Sequence, residues 1–232
     1  MRETLVTSKV SLVLCPLIQM EIKTRIKQKA DELFMRYGIK SITMDEIANQ
    51  LGISKKTIYQ EFGDKDELVD DVITDILSNN QKRCVQDRGV ATNAIHEVFL
   101  AMEMIQEMFE NMNPTILYDM ERNHPATFQK FQQHKYKFLF QTIKENIERG
   151  KKEELFRENV NSEVVAKIRL ETIMLPFSQE IFPKNRYNLV ELHTQLIEYY
   201  LFGIASLKGV KMINKYQAER LKKMNQNEKK HV

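Results

Sequence analysis

Apolar residues recur every three or four positions along most of the chain, a period that predicts helices packed along one face. From Glu21 onward, Ile22, Ile26, Ala30, Leu33, Phe34 and Tyr37 form one such stripe, and Gly38 follows as a left-handed cap. Thr43 with Glu46 three residues later is a capping-box pattern, opening a short helix whose Ile47, Ala48 and Leu51 share a face. Gly52 then supplies the positive φ of a tight turn, and Ile53 points back to the core. Ser54 caps a third helix running to about Phe62, Gly63 closes it, and Asp64 caps a fourth with the stripe Leu68, Val72, Ile73, Ile76 and Leu77.

Beyond Gly89 the period continues with short breaks. Ile95, Val98, Phe99, Met102, Phe109 and Met112 make one helix, stopped by Pro114; Pro125 opens another through Tyr136, Phe140, Ile143 and Ile147, ended by Gly150. Residues 151–161 read as a charged loop, and Ser162 caps a helix through Val164, Val165, Ile168 and Leu175. Leu189, Leu192, Leu196, Tyr199, Tyr200 and Gly203 mark the last one, after which the chain reads as a basic, fraying tail. With only 7 Gly and 5 Pro in 232 residues, the fold class expected is all-α: an N-terminal three-helix module followed by a larger helical domain. The expected boundaries are an extension over 1–20, disordered or outside the native start; the three-helix module over 21–66; the larger helical domain over 67–207; and a basic tail over 208–232.

The net charge of +3 hides an uneven distribution. Residues 20–65 carry nine basic and seven acidic side chains, 66–206 carry 16 and 22, and 207–232 carry eight and two. Only the two ends are attracted to phosphate; the middle is repelled by it. Cys15 and Cys84 have no paired spacing and no neighbouring ligand, which predicts neither disulfide nor metal site and fits a cytoplasmic location. The uncharged run 10–20 is shorter than the ~20 residues of a membrane span, and no small-residue cleavage site follows it, so no membrane partner is expected. His96, His124, His134 and His193 lack metal-ligand spacing; no nucleophile elbow, Gly-rich phosphate loop or His-Glu-x-x-His occurs. No catalytic residue and no cofactor is therefore assigned.

Two short helices joined by a Gly-containing turn and packed on a longer one form a helix-turn-helix. At about 100° per residue, Ile58 and Phe62 face inward, leaving Lys56 and Gln60 on the opposite side of the third helix with Thr57 and Tyr59 at its edges. In isolation Lys55, Lys56 and Gln60 would be an ordinary solvated face; within a complete helix-turn-helix they become candidates for base reading. The run TMDEIANQLGISKKTIYQEF, Thr43 to Phe62, followed by GDKDEL, resembles the DNA-binding signature of the TetR family of bacterial regulators, as does the pattern of Ala30, Leu33, Phe34 and Gly38. That resemblance implies a homodimer on a palindromic double-stranded operator, with 21–66 as the helix-turn-helix DNA-binding domain and 67–207 as a helical ligand-binding and dimerisation domain that takes a small effector. It gives Thr43, Tyr59 and Lys65 the family's phosphate-contacting positions and Ser54, Lys55, Lys56, Thr57, Tyr59 and Gln60 the recognition segment. Lys56 departs from the small residue many members carry. A weaker echo of the family is ERGKKEELF, Glu148 to Phe156.

For an apolar or amphipathic effector the candidate pocket residues are Phe99, Met102, Phe109, Tyr118, Met120, Phe128, Phe138, Met174 and Phe177, which core packing explains equally well. The dimer is expected from the last two helices, 162–182 and 188–207, through Leu192, Leu196, Tyr199, Tyr200 and Gly203. The expected activity is DNA-binding regulation, as a repressor released by its effector. The alternatives are a ligand-processing helical enzyme regulated by DNA and a helical adaptor whose basic tail binds acidic surfaces.

Overall fold

A computed structural model describes residues 7–110 and 112–228, with side chains placed over 21–110 and 112–222. Over these residues the chain is helical: α1 (Thr7–Tyr37), α2 (Met44–Leu51), α3 (Lys55–Glu61), α4 (Lys65–Val90), α5 (Ala94–Phe109), α6 (Ile116–Asn123), α7 (Pro125–Gln133), α8 (Phe140–Lys152), α9 (Ser162–Met174), α10 (Leu189–Ile204) and α11 (Leu207–Glu228). A π-helical stretch, His134–Leu139, joins α7 to α8, and a single 3-10 turn, Leu175–Phe177, follows α9. No helix among the described residues is long and apolar enough to cross a membrane.

The chain divides into two compact units. The first holds the described residues up to Ile76 together with Ile116–Phe128; the second holds Leu77–Thr115 and the described residues from Gln129 onward. In the first, Ile26, Ala30 and Phe34 of α1, Ile47 and Ala48 of α2, Ile58 of α3 and Leu68 of α4 are completely buried together with Phe62. The local signals fold as expected: the Glu46 amide donates to the Thr43 hydroxyl at 3.1 Å, Gly52 takes φ +66°, the Thr57 amide donates to Ser54 Oγ at 3.1 Å, and the Glu67 amide donates to Asp64 at 2.8 Å. In the second unit Ala94, Ile95, Phe99, Met102, Ile147, Leu155, Phe156, Ala166, Ile197, Leu201 and Ile213 form the core.

Several sequence expectations are corrected. Helix α1 begins at Thr7, so residues 7–20 of the expected extension continue the first helix; residues 1–6 lie outside the described residues. Residues 116–123, read as part of a break between two prolines, are a helix that belongs to the first unit. The helix capped at Ser162 is capped by Asn161, whose Oδ1 accepts from the Glu163 and Val164 amides, while the Ser162 hydroxyl donates to Glu148. The expected fraying tail is α11, and it is part of the core: Ile213 is fully buried, and Tyr216 stacks on His96 at 5.1 Å and accepts from the Asn93 amide group at 2.9 Å. Its apolar series Val210, Ile213, Tyr216 is masked in the sequence by five cations between Lys208 and Lys222 that point elsewhere on the helix.

Candidate nucleic-acid interface and ligand cavity

Helix α3 is held from below and bare above. Ile58 and Phe62 are fully buried, whereas Lys55, Lys56, Tyr59 and Gln60 are exposed and Thr57 is half-buried. Ser54 caps the helix and also shares a hydrogen bond with the Thr57 hydroxyl at 2.8 Å, fixing the first turn. Lys55 pairs with Asp45 of α2, which raises its pKa through the hydrogen bond and the opposite charge and anchors it against α2. Lys56 and Gln60, one turn apart, are left as the outward side chains at the helix centre. Thr43 is exposed at the start of α2.

Lys65 is placed differently from a free surface cation. Its Nζ donates to the Ile39 carbonyl at 2.6 Å, and burial lowers its pKa. It therefore ties the start of α4 to the turn after α1, with its remaining N–H bonds available to an acceptor. The α1 cations are engaged as well: Lys23 pairs with Asp71 at 3.5 Å, Lys27 with Asp75 at 2.5 Å and Lys29 with Glu32 at 2.5 Å.

The segment 116–128 completes the first unit. The Lys40 amide donates to the buried Asp119 carboxylate at 3.0 Å, His124 Nδ1 lies 2.7 Å from Asp66, and the Thr127 hydroxyl donates to Asp70 at 3.0 Å. Nothing in the sequence pattern distinguishes Ile116 and Met120 from any other helical pair, so this placement was not readable in advance.

In the second unit, α4, α5, α8, α9 and α10 enclose a cavity of about 110 Å³ with mostly apolar walls. None of the nine expected pocket residues lines it. Phe99 and Met102 face the core, Phe109 packs edge-on to Phe177 at 5.1 Å, Phe138 meets His134, and Met174 is half-buried near the end of α9. Tyr118, Met120 and Phe128 lie in the first unit, Tyr118 exposed and Met120 buried. The cavity uses the adjacent face of α5, Val98, Ala101, Met104 and Ile105, with Ile143, Ile173 and Ile197 opposite. Picking the largest apolar side chains selected the core stripe, because aromatic and Met residues fill space while medium aliphatic ones leave it.

Polar groups also reach the cavity wall. Arg169 and Tyr200 are there, the guanidinium carbon 5.3 Å from the ring centroid, as are Asp87, Glu97 and Asn146. Burial lowers the Arg169 pKa to about 10 and raises that of Tyr200. Tyr200 was expected at a dimer surface; the structure turns its hydroxyl inward instead. The other expected dimer residues divide: Tyr199 is 70% exposed and Gly203 is exposed, while Leu192 and Leu196 are half-buried. Cys84 also lines the cavity, its thiol pushed up to about 11 by burial and hence protonated. Cys15 lies among residues whose side chains are not described. No cluster of His, Cys, Asp and Glu that could hold a metal occurs among the described residues.

The family model for bacterial regulatory proteins of the tetR family matches residues 26–72, the stretch that builds α1 to α4 around the exposed face of α3. The likeness to the TetR family is carried by this stretch, about a fifth of the chain. A curated relative, the uncharacterised HTH-type transcriptional regulator YhgD of Bacillus subtilis, is 27% identical over 113 residues, 48% of this chain, and the chain spans about half (52%) of that relative's length. Two solved structures share the fold: a transcriptional regulator from Saccharomonospora viridis in complex with choline (TM-score 0.65, 19% identity, 81% of this chain and 99% of that one) and FadR of Bacillus subtilis in complex with stearoyl-CoA (TM-score 0.60, 16% identity, 78% and 98%). The family match in sequence thus lies within the first unit, and the likeness to these two solved structures is one of fold.

Proposed function

We propose that this chain is a homodimeric TetR-family transcription regulator, which represses by binding a palindromic operator and is released by a small molecule held in its second unit. The observation that carries the reading is the split of α3, with Ile58 and Phe62 buried beneath while Lys56, Tyr59 and Gln60 stand exposed. Such a helix enters the major groove, where an amide side chain pairs with adenine and a lysine with guanine or with phosphate. Thr43, Ser54, Thr57 and Tyr59 take phosphate or edge contacts in this reading, and Lys65 positions the turn as well as offering charge. Two copies present their α3 helices to half-sites about 34 Å apart, one turn of DNA.

The effector role is supported by the cavity in the second unit and by the small-molecule complexes of two proteins with this fold. A ligand shifts the equilibrium only through unequal affinity for the DNA-bound and free states, so an effector here must favour the form that does not engage both half-sites. The test is fluorescence anisotropy with labelled duplexes tiled over the DNA flanking the protein's own gene. One duplex should bind far more tightly than the rest and lose affinity steeply with salt; equal, weak binding to all would contradict the reading.

A further inference from the structure

Arg169 is a buried cation that the protein itself leaves short of partners, and its charge also bears on His193, whose two ring nitrogens are likewise unpartnered. Arg169 is 5% exposed, its Nη1 has no hydrogen-bond partner, and it makes no ion pair among the described residues. Its neighbours do not supply a counter-charge: it stacks on the Tyr200 ring, and the buried Tyr200 hydroxyl likewise has no partner. A buried cation without a carboxylate is strongly unfavourable unless something else supplies the negative charge.

Of the other charges on the wall, Glu97 accepts from Arg149 at 3.0 Å, and Asp87 is ion-paired with Arg83 at 3.8 Å although its Oδ2 has no hydrogen-bond partner. Arg169 is therefore the charged residue of the wall that has no ion pair among the described residues, and it is flanked by a phenol O–H. Two donors of this kind match a carboxylate, which accepts from both.

We propose that the effector is a small monocarboxylate whose head docks on Arg169 and Tyr200 and whose apolar body packs on Met104, Ile105, Ile173 and Ile197. This rests on the effector reading above and adds the charge and size of the ligand to it. A cavity of about 110 Å³ is on the scale that admits one ring or a short alkyl chain. A phosphate dianion is disfavoured because a single guanidinium would have to balance two negative charges. A quaternary ammonium would meet Arg169 directly and be repelled.

The experiment uses the full chain and a panel of benzoate, hexanoate and octanoate, their neutral amides, and choline, read by calorimetric binding, melting temperature and release of operator DNA. At least one carboxylate should bind at least tenfold more tightly than its amide and release DNA, and choline should not bind. Arg169→Met should keep the fold, melt no lower than the parent because an unpaired charge is replaced by an apolar chain, and lose the preference for acid over amide. Arg169→Lys should keep part of it. If amides and acids bind equally, or choline binds and the acids do not, the cavity still takes an effector but the carboxylate assignment is overturned. If no compound of the panel binds or releases DNA, the carboxylate assignment also fails; the broader effector reading fails only if a wide library of neutral and cationic compounds gives the same result. If Arg169→Met binds the acids as the parent does, Arg169 is not the docking group.

Discussion

Gln60 and Lys65 illustrate two ways in which a single side chain would serve DNA binding under the proposed function. Gln60 is exposed and has no role in the packing of α3, so Gln60→Ala should leave melting unchanged and relax base preference at one position of each half-site by about 1 to 3 kcal/mol. Lys65 donates to the Ile39 carbonyl, so Lys65→Ala should weaken all duplexes alike and also lower stability, by about 1 kcal/mol; thermal melts beside anisotropy separate the two effects. A residue in the second unit gives a pH prediction. His193 is completely buried, and burial, with Arg169 adding to it, holds its pKa down to about 3. The unfolded chain takes up that proton near pH 6.5 while the folded one does not, so stability is full above that pH and is lost as pH falls toward 3. Between pH 6.5 and 4.5 the loss from this group should be about 2 to 3 kcal/mol, read by urea titration, and His193→Leu should flatten that limb; an unchanged limb would show that other groups set it.

Elements differ in how plainly the sequence announces them. Helices α2 and α3 were legible to within a residue because their ends are written in side chains: Thr43 and Ser54 as caps and Gly52 as the left-handed turn. Helix α11 was not, since six cations are interleaved with its apolar residues, and the π-helical stretch before α8 has no compositional mark at all. The cavity was missed for a related reason. Its face of α5 is one residue round from the core stripe, and Arg169 and Tyr200 come together from two helices that the sequence separates by 31 positions. Two substitutions test the elements. Ile213→Ala should destabilise by about 2 to 5 kcal/mol if α11 is core, and by almost nothing if it is a solvated tail. Gly150→Ala should also destabilise, by about 1 to 3 kcal/mol, because a Cβ there would meet the Phe156 ring at 2.0 Å and force the turn after α8 apart.

At the scale of the whole molecule, dimerisation and DNA binding stand or fall together in this account. Val164 and Ile168 of α9 and Tyr199 and Phe202 of α10 are between 39% and 70% exposed, more apolar surface than a monomer usually shows on two helices of one unit. Pairing them with their symmetry mates in a four-helix interface would cover it. Ile168→Glu with Tyr199→Glu should give a folded monomer by sedimentation that binds half-sites but not the full palindrome with high affinity; an intact dimer would place the interface elsewhere. The most direct test of the central claim is selection of bound duplexes from a randomised pool, run in parallel on the parent chain and on Gln60→Ala. The parent should enrich a palindrome whose half-site centres are one turn, about 10 base pairs, apart, and Gln60→Ala should lose preference at a single symmetric position while retaining the rest. Enrichment of no motif, or of a motif identical in the two proteins, would contradict the assignment of α3 as the reading helix.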